Sequence, residues 1–237
     1  MACRQGPDWS SLMNSHSAAP WRDVAIFPDS MAEFSPPKAL VFDLGKVLLE
    51  FDYAIASRRF AQKSNADWQK VGEIISSTTL LYRFETGQLN TQEFFDELSR
   101  ATGYRGTLAE FEEIFSAIFS PMPDMIRLQA DIRAAGLPCY IFSNTNELAI
   151  EYIRRTYPFF ANFDGYVLSY EHGSMKPESR LYEVVESMTG RRGEDLLYID
   201  DRPENIAAGA ERGWQTILQE RPEATRLQVA ARGIPLH

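Results

Sequence analysis

The sequence predicts an α/β fold in which helices cover both faces of a parallel sheet and an all-helical segment is inserted into the chain. Two patterns indicate this fold. Short apolar runs, each followed by polar residues, alternate with amphipathic helices from residue 122 onward. Before that point, residues 54–121 have helical periodicity only. A chain of 237 residues with 44% hydrophobic residues is long enough to bury a sizeable core.

The first strand is predicted over residues 38–42 because the apolar run there resembles a strand buried on both faces. It delivers Asp43 at its carboxyl end. In the helical insertion, Asn90 and Thr107 each precede a glutamate by three positions, which is the spacing of a capping box at a helix start. The sequence therefore predicts a helical unit over residues 54–121.

Strands and helices then alternate, beginning with a helix that Asp124 is expected to cap and that ends near residue 136. This succession predicts a Rossmann-like core assembled from residues 38–53 and 122–237. The strands are predicted over 137–142, 166–168, 196–199 and 216–218. The helices that connect consecutive strands are predicted over 147–156, 178–189 and 203–212.

Residues 1–37 are predicted to be a flexible tail. They contain several prolines among serine, asparagine and aspartate and have no sustained periodicity. Met31 stands just before the first predicted strand, so translation from either Met1 or Met31 is compatible with the sequence. A partner-binding arm that uses the aromatic residues of this segment is the alternative.

The charge and the cysteine content limit which partners the protein can bind and in which cellular compartment it is expected. The formal net charge is −9, so the chain lacks the broad basic surface that nucleic-acid binding requires. No apolar run has the length of a membrane span, and Cys3 and Cys139 do not form a disulfide framework. We therefore expect a cytoplasmic protein with a small-molecule partner; the sequence leaves its oligomeric state open.

Polar residues follow the predicted strands, and the carboxyl ends of parallel strands share the edge of the sheet where ligands bind. Carboxylate oxygens are preferred ligands of Mg²⁺. A hydroxyl and amide groups at a helix start can hold phosphate oxygens, and an ammonium group can offset the remaining charge. A carboxylate beside the metal can attack phosphorus, so the chemistry suggested is phosphoryl transfer to water. The residues concerned are Asp43, Ser143, Asn144, Lys176, Asp200 and Asp201.

Four motifs at these strand ends resemble those of the haloacid dehalogenase superfamily, specifically its phosphatases with a helical cap of the C1 type. The resemblance spans residues 38–220 and is close to the branch of glucose-1-phosphatase-like proteins and the N-terminal phosphatase domain of soluble epoxide hydrolases. The motifs are Val41-Phe42-Asp43-Leu44-Gly45-Lys46-Val47, Ile141-Phe142-Ser143-Asn144-Thr145-Asn146, Gly173-Ser174-Met175-Lys176-Pro177-Glu178 and Tyr198-Ile199-Asp200-Asp201-Arg202-Pro203-Glu204-Asn205-Ile206.

The resemblance implies a role for each residue in a Mg²⁺-dependent phosphatase that acts through an aspartyl-phosphate. Asp43 would be the nucleophile and a metal ligand, and Lys176 would orient it. The insertion would be the cap that closes over the site and recognises the leaving group. The other implied roles are metal binding by the Gly45 carbonyl, Asp200 and Asp201, and phosphate binding by Ser143, Asn144 and Lys176.

Gly45 departs from the common family pattern, in which an aspartate two positions after the nucleophile serves as the general acid. General acid–base assistance typically contributes about 10²–10⁴-fold to a rate. The departure is compatible with a slow phosphatase, with a sugar 1-phosphate as substrate, or with a non-catalytic phosphate-binding protein. A 2-haloacid dehalogenase is the other enzyme class considered, although paired carboxylates beside an anionic substrate argue against it. The sequence does not identify a replacement acid.

Each candidate residue also has an ordinary structural interpretation. Asp200 and Asp201 suit a cap for the helix that begins near Pro203, and Ser143 and Asn144 suit a cap for the helix that follows them. Other residues have open roles: Lys46 is expected to contact phosphate or solvent, and Tyr82 or Arg83 to face substrate.

Overall fold

The computed structural model describes residues 35–76 and 79–236. Most of the predicted tail, with Cys3 and Met31, lies outside these residues. The described strands are β1 (Ala39–Phe42), β2 (Leu49–Phe51), β3 (Phe119–Pro121), β4 (Cys139–Ser143), β5 (Gly165–Leu168), β6 (Leu196–Asp200) and β7 (Gln215–Leu218). The described helices are α1 (Tyr53–Ala61), α2 (Trp68–Ser76), α3 (Thr79–Glu85), α4 (Thr91–Thr102), α5 (Leu108–Ser116), α6 (Pro123–Ala134), α7 (Glu147–Thr156), α8 (Ser169–His172), α9 (Ser179–Thr189), α10 (Pro203–Glu211) and α11 (Pro222–Ala230).

Five strands form one parallel sheet in the order β5-β4-β1-β6-β7. The central strand β1 is buried throughout, and Phe42 lies opposite Ile141 of β4 and Ile199 of β6. The carboxyl ends of β1, β4 and β6 therefore lie side by side. This confirms the predicted α/β fold and places the polar residues after these strands at one edge.

Each face of the sheet has its own apolar cluster because successive side chains of a strand point to opposite faces. Leu40 and Phe42 pack in one cluster, to which α6, α7 and α11 contribute. Ala39 and Val41 pack in the other, to which α9 contributes. Helices therefore cover both faces of the sheet, as predicted.

Helices α1 to α5 lie between β2 and β3 and share a third apolar cluster, rich in phenylalanine. Asn90 and Thr107 form the predicted capping boxes at the starts of α4 and α5. The periodicity predicted that the insertion is helical as far as residue 121. This prediction was wrong at its end, because residues 119–121 form β3, which pairs with β2 in an antiparallel ladder. This pairing joins residues far apart in the chain, so local periodicity does not reveal it.

The start of α6 corrects a predicted cap. Met122 is the residue before the first turn, Pro123 takes the first helical position, and Asp124 lies within that turn. Proline suits this position because the missing N–H would have no partner there. The carboxyl-terminal helix α11 was not predicted. Among the helices of the described part, none is long and apolar enough to span a membrane.

Candidate active site

Lys176 connects two of the predicted site carboxylates. Its Nζ donates hydrogen bonds to Asp43 Oδ1 at 2.8 Å and Asp200 Oδ2 at 2.7 Å. The Phe142 carbonyl oxygen at 2.8 Å is a third acceptor. The ammonium group is almost entirely buried, as are both carboxylates. The structure thus brings the ends of β1, β4 and β6 together around one cation.

Asn144 holds the segment that carries Lys176. Its Nδ2 donates to the Lys176 carbonyl at 3.0 Å, and its Oδ1 accepts from the Lys176 backbone N–H at 2.7 Å. The side chain of Asn144 therefore bonds to the lysine segment rather than capping a helix; Asn146 caps α7 instead. Within the described part of the chain, Ser143 Oγ makes a single long contact, 3.4 Å to the Asn144 carbonyl, which leaves this hydroxyl available to a ligand.

Asp200 is surrounded by donors. Its Oδ1 accepts from the Arg202 backbone N–H at 2.8 Å, and Asn205 Nδ2 lies within 3.2 Å of both oxygens. The Tyr198 hydroxyl donates to Oδ2. Burial alone would raise the pKa of Asp200, but Lys176 and these donors outweigh it and lower the pKa. Sequence reasoning did not identify Tyr198 and Asn205, although both lie in the fourth motif.

Asp43, Asp200 and Asp201 present carboxylate oxygens that all lie within 4.8 Å of one another. Burial raises the pKa of Asp43, and the two other aspartates add to that effect while Lys176 opposes it. Burial and Asp200 also raise the pKa of Asp201. Three carboxylates facing one ammonium group leave negative charge that a cation would offset. Oxygen donors of this kind fit Mg²⁺.

Gly45 lies two residues after Asp43, and the ring of Phe51 occupies the space beside it. A Cβ built on Gly45 would be 2.6 Å from Phe51 Cε1. The ring packs against Tyr53 and Phe119, with centroids 5.3 and 6.3 Å away. A side chain at position 45 would therefore displace a packed aromatic ring, which sequence reasoning could not show.

The end of α3 lies against the sheet edge near Lys176. The Tyr82 hydroxyl donates to Glu178 Oε1 at 3.3 Å, so Tyr82 faces the core. Arg83 instead forms a bidentate salt bridge with Glu97 inside the insertion. Of the two residues expected to face substrate, only Tyr82 approaches the core through a described hydrogen bond.

The side chain of Lys46 contacts residues 50 and 51 of β2. Its Nζ pairs with Glu50 Oε2 at 2.5 Å, and both side chains are exposed. The ammonium group also lies 5.1 Å from the centroid of the Phe51 ring. Of the two expectations for Lys46, a phosphate contact or a solvent-exposed side chain, these contacts agree with the second.

Residues 37–213 match the family described as haloacid dehalogenase-like hydrolase. A D-ribitol-5-phosphate phosphatase from Bacteroides thetaiotaomicron is 25% identical over 190 residues, which is 77% of this chain and 92% of the relative. A sesquiterpene phosphatase, astK, from Aspergillus oryzae is 24% identical over 173 residues, or 72% of this chain and 84% of the relative.

The fold is also similar to that of a solved HAD family enzyme from Bacteroides thetaiotaomicron, crystallised with magnesium and inorganic phosphate. The TM-score is 0.70 at 22% identity, with 78% of this chain and 94% of the other covered. At this identity the likeness concerns the fold, and it extends over nearly the whole of the solved chain.

Proposed function

Because the chain belongs to the haloacid dehalogenase-like hydrolase family, we propose that it is a Mg²⁺-dependent phosphatase that forms an aspartyl-phosphate on Asp43. One observation carries this proposal: Lys176 is bonded to both Asp43 and Asp200, and Asp201 lies beside them. A buried ammonium group held by two carboxylates is a preorganised environment for a phosphate dianion and a metal ion. Two relatives named as phosphatases support the same activity.

Asp43 is the proposed nucleophile. Lys176 binds its Oδ1, so Oδ2 is the oxygen that attacks phosphorus. The new Oδ2–P bond forms as the ester P–O bond breaks, and water then hydrolyses the aspartyl-phosphate. Lys176 orients the attacking carboxylate and reduces its repulsion from the phosphate. The free hydroxyl of Ser143 and the backbone N–H of Asn144 are proposed to bind phosphate oxygens.

The residues proposed to hold Mg²⁺ are Asp43, the Gly45 carbonyl, Asp200 and Asp201. The donor set fits the ion because it consists of oxygens and carries more negative charge than Lys176 balances. When bound, Mg²⁺ supplies positive charge that stabilises the phosphate and the charge that develops during transfer. Asp200 also positions Lys176, to which it is bonded.

We assign the helical insertion, residues 54–121, the role of a cap that surrounds the leaving group. Helix α3 already contacts the core beside Lys176 through Tyr82. The proposed substrate is a small phosphate ester, with a sugar or polyol phosphate as the first class to test. The two named relatives differ widely in the alcohol that they release, so their names do not select the substrate.

The test is a phosphate-release assay over a panel of small phosphate esters, with Mg²⁺ or with excess chelator. We expect turnover only with Mg²⁺ and none for Asp43→Asn, because an amide supplies neither the nucleophilic oxygen nor the charge. Asp124→Asn, at an exposed position of α6, is the matched control and should behave as the unchanged protein.

Undiminished turnover by Asp43→Asn, or in chelator, contradicts the proposed mechanism. Chloride release from a 2-chloroacid without metal would indicate a dehalogenase instead. Binding of phosphate with no turnover of any ester would indicate the non-catalytic alternative that Gly45 left open.

A further inference from the structure

A phosphatase acting on alcohols with poor leaving groups needs a proton for the departing oxygen. Position 45 cannot supply it, because glycine has no side chain and the Phe51 ring fills the space in which one would lie. The proton must come from another residue that reaches the leaving group. The structure offers one such residue in the helical insertion.

Glu85 lies on the side of α3 that faces the core. Residues three positions apart share a face of a helix, and Tyr82, three positions earlier, donates to Glu178 of the core. Phe84 points elsewhere, because its ring stacks on Phe94 within the insertion at 4.4 Å between centroids. The side chain of Glu85 is therefore directed toward the sheet edge rather than into the core of the insertion.

The residues after Glu85 hold this end of α3 against the segment that carries Lys176. Gly87 approaches so closely that a Cβ built on it would lie 2.2 Å from the Tyr170 carbonyl oxygen. The Thr86 carbonyl oxygen lies 3.9 Å from the corresponding position on Gly173. Contacts at Tyr82 and Gly87 thus bracket Glu85 on both sides, and all of them are with residues 170–178.

Glu85 is 9% exposed and has no hydrogen-bond or ion-pair partner among the described residues. The other strongly buried carboxylates behave differently: Asp200 accepts from several donors and Glu186 pairs with Arg212. Burying a carboxyl group without a partner costs stability. Such a group persists where it binds a ligand or exchanges a proton.

Groups from several elements face Glu85. Arg202 from the fourth motif and Asp43, the residue after β1, are near enough to interact with its charge, and so is Tyr53 of α1. Burial raises the pKa of Glu85 to about 7, Arg202 opposes the rise, and Asp43 reinforces it. A carboxylic acid in this range can both donate and recover a proton near neutral pH.

We propose that Glu85 is the general acid–base of the reaction, in place of the carboxylate that position 45 lacks. This inference rests on the proposed phosphatase function. As the bond between phosphorus and the ester oxygen breaks, the Glu85 carboxyl proton passes to that oxygen and the alcohol leaves. The resulting carboxylate then takes a proton from the water that attacks the aspartyl-phosphate, which restores the acid.

The experiment compares the full chain with Glu85→Gln, an isosteric change that removes the exchangeable carboxyl proton. kcat/KM is measured with Mg²⁺ for phosphate esters of graded leaving-group acidity, from 4-nitrophenyl phosphate to sugar 6-phosphates and simple alkyl phosphates. We expect a loss of about 10²–10⁴-fold for alkyl esters and less than about 3-fold for 4-nitrophenyl phosphate, which needs no proton. Glu113→Gln, at an exposed position of α5, is the control.

The pH profile supplies a readout that a purely structural role would not change. For alkyl esters, kcat/KM of the unchanged protein should fall as Glu85 loses its proton above neutral pH, and Glu85→Gln should lack this decline. Glu85→Asp should keep part of the leaving-group selectivity. The melting temperature of each variant shows that it is folded.

An equal loss for all esters would overturn the proposal and make Glu85 a binding or structural residue. Unchanged kcat/KM for alkyl esters would also overturn it. Both outcomes differ from failure of the proposed function, in which the unchanged protein itself releases no phosphate.

Discussion

Asp200, at the end of a central strand, and Glu85, in the helical insertion, are both carboxylic acids removed from water, yet their pKa values move in opposite directions. Asp200 is 0% exposed and its pKa is lowered, because Lys176, Tyr198 and backbone donors outweigh burial. Glu85 is 9% exposed and its pKa rises to about 7, because burial dominates. Between these two acids, the number of donors rather than the depth of burial decides the direction of the pKa shift.

The contrast extends to the two regions that carry these residues. At the sheet edge, three paired parallel strands carry the site, and the carboxylates of Asp43 and Asp200 are bound by donors. In the insertion, which has an apolar cluster of its own, α3 carries the buried carboxyl group of Glu85, which has no hydrogen-bond or ion-pair partner among the described residues. We infer that the proposed phosphate chemistry depends on the sheet edge, whereas the proposed recognition of the leaving group depends on how the insertion docks.

The largest effect is expected at the sheet edge. Lys176→Met should cost about 3–5 kcal/mol in chelator, because it leaves the buried carboxylates of Asp43 and Asp200 without their cation. Denaturant titrations with and without Mg²⁺ measure the loss, which the ion should partly restore. Lys38→Met, which removes an exposed pair with Asp195, should cost no more than about 1 kcal/mol. Equal costs for the two variants would show that burial of the pair does not matter.

Glu85→Gln should increase the stability of the protein, whereas Lys176→Met should decrease it. The folded pKa of about 7 exceeds the ordinary value of 4.5, so the folded state holds a proton that the unfolded state has released between these values. Ionisation of Glu85 therefore lowers stability as pH rises from about 4.5 to 7, and the variant should lack this contribution.

The gain of Glu85→Gln should reach at most about 3 kcal/mol at pH 8 and be small near pH 4.5. Urea titrations in chelator at the two pH values measure it. A variant that is less stable than the unchanged protein at pH 8 would indicate that Glu85 has a stabilising partner and would remove the contrast with Asp200.

The docking of the insertion can be tested at Gly87. Its φ of +67° is matched by +64° at Gly190, but only Gly87 approaches another backbone group. Gly87→Ala should cost about 2 kcal/mol and Gly190→Ala about 1 kcal/mol, because both add strain and only the first adds a clash with Tyr170. Thermal melts and kcat/KM of both variants measure the difference. Similar activity in the two variants would mean that this contact does not position the insertion.

The smallest effect is expected at the start of α4. Asn90→Ala removes one half of a capping box and should cost about 1 kcal/mol. Because the insertion has its own apolar cluster, the loss should lower the melting temperature without changing the Mg²⁺ dependence of activity. An altered requirement for Mg²⁺ would show that the insertion shapes the sheet-edge site itself.

Several site residues could be predicted because each follows a buried strand. Asp43, Ser143 and Asp200 end neighbouring strands, and the parallel pairing of β1, β4 and β6 brings their ends together. The roles of these side chains were harder to predict from the sequence. Asn144 suggested a helix cap or a phosphate contact, but its side chain holds the Lys176 segment, a contact over 32 positions of the chain.

The sequence by itself determined the α/β class, the helical insertion and the set of residues at the sheet edge, because these follow from local periodicity and from residues adjacent to strands. Only the tertiary structure decided that the Phe51 ring fills the space beside Gly45 and that Glu85 lies buried with no partner among residues 35–76 and 79–236. Both facts depend on packing between distant segments. Local pattern records which residues are apolar, but the burial and charge of a single side chain depend on the neighbours that the fold brings to it.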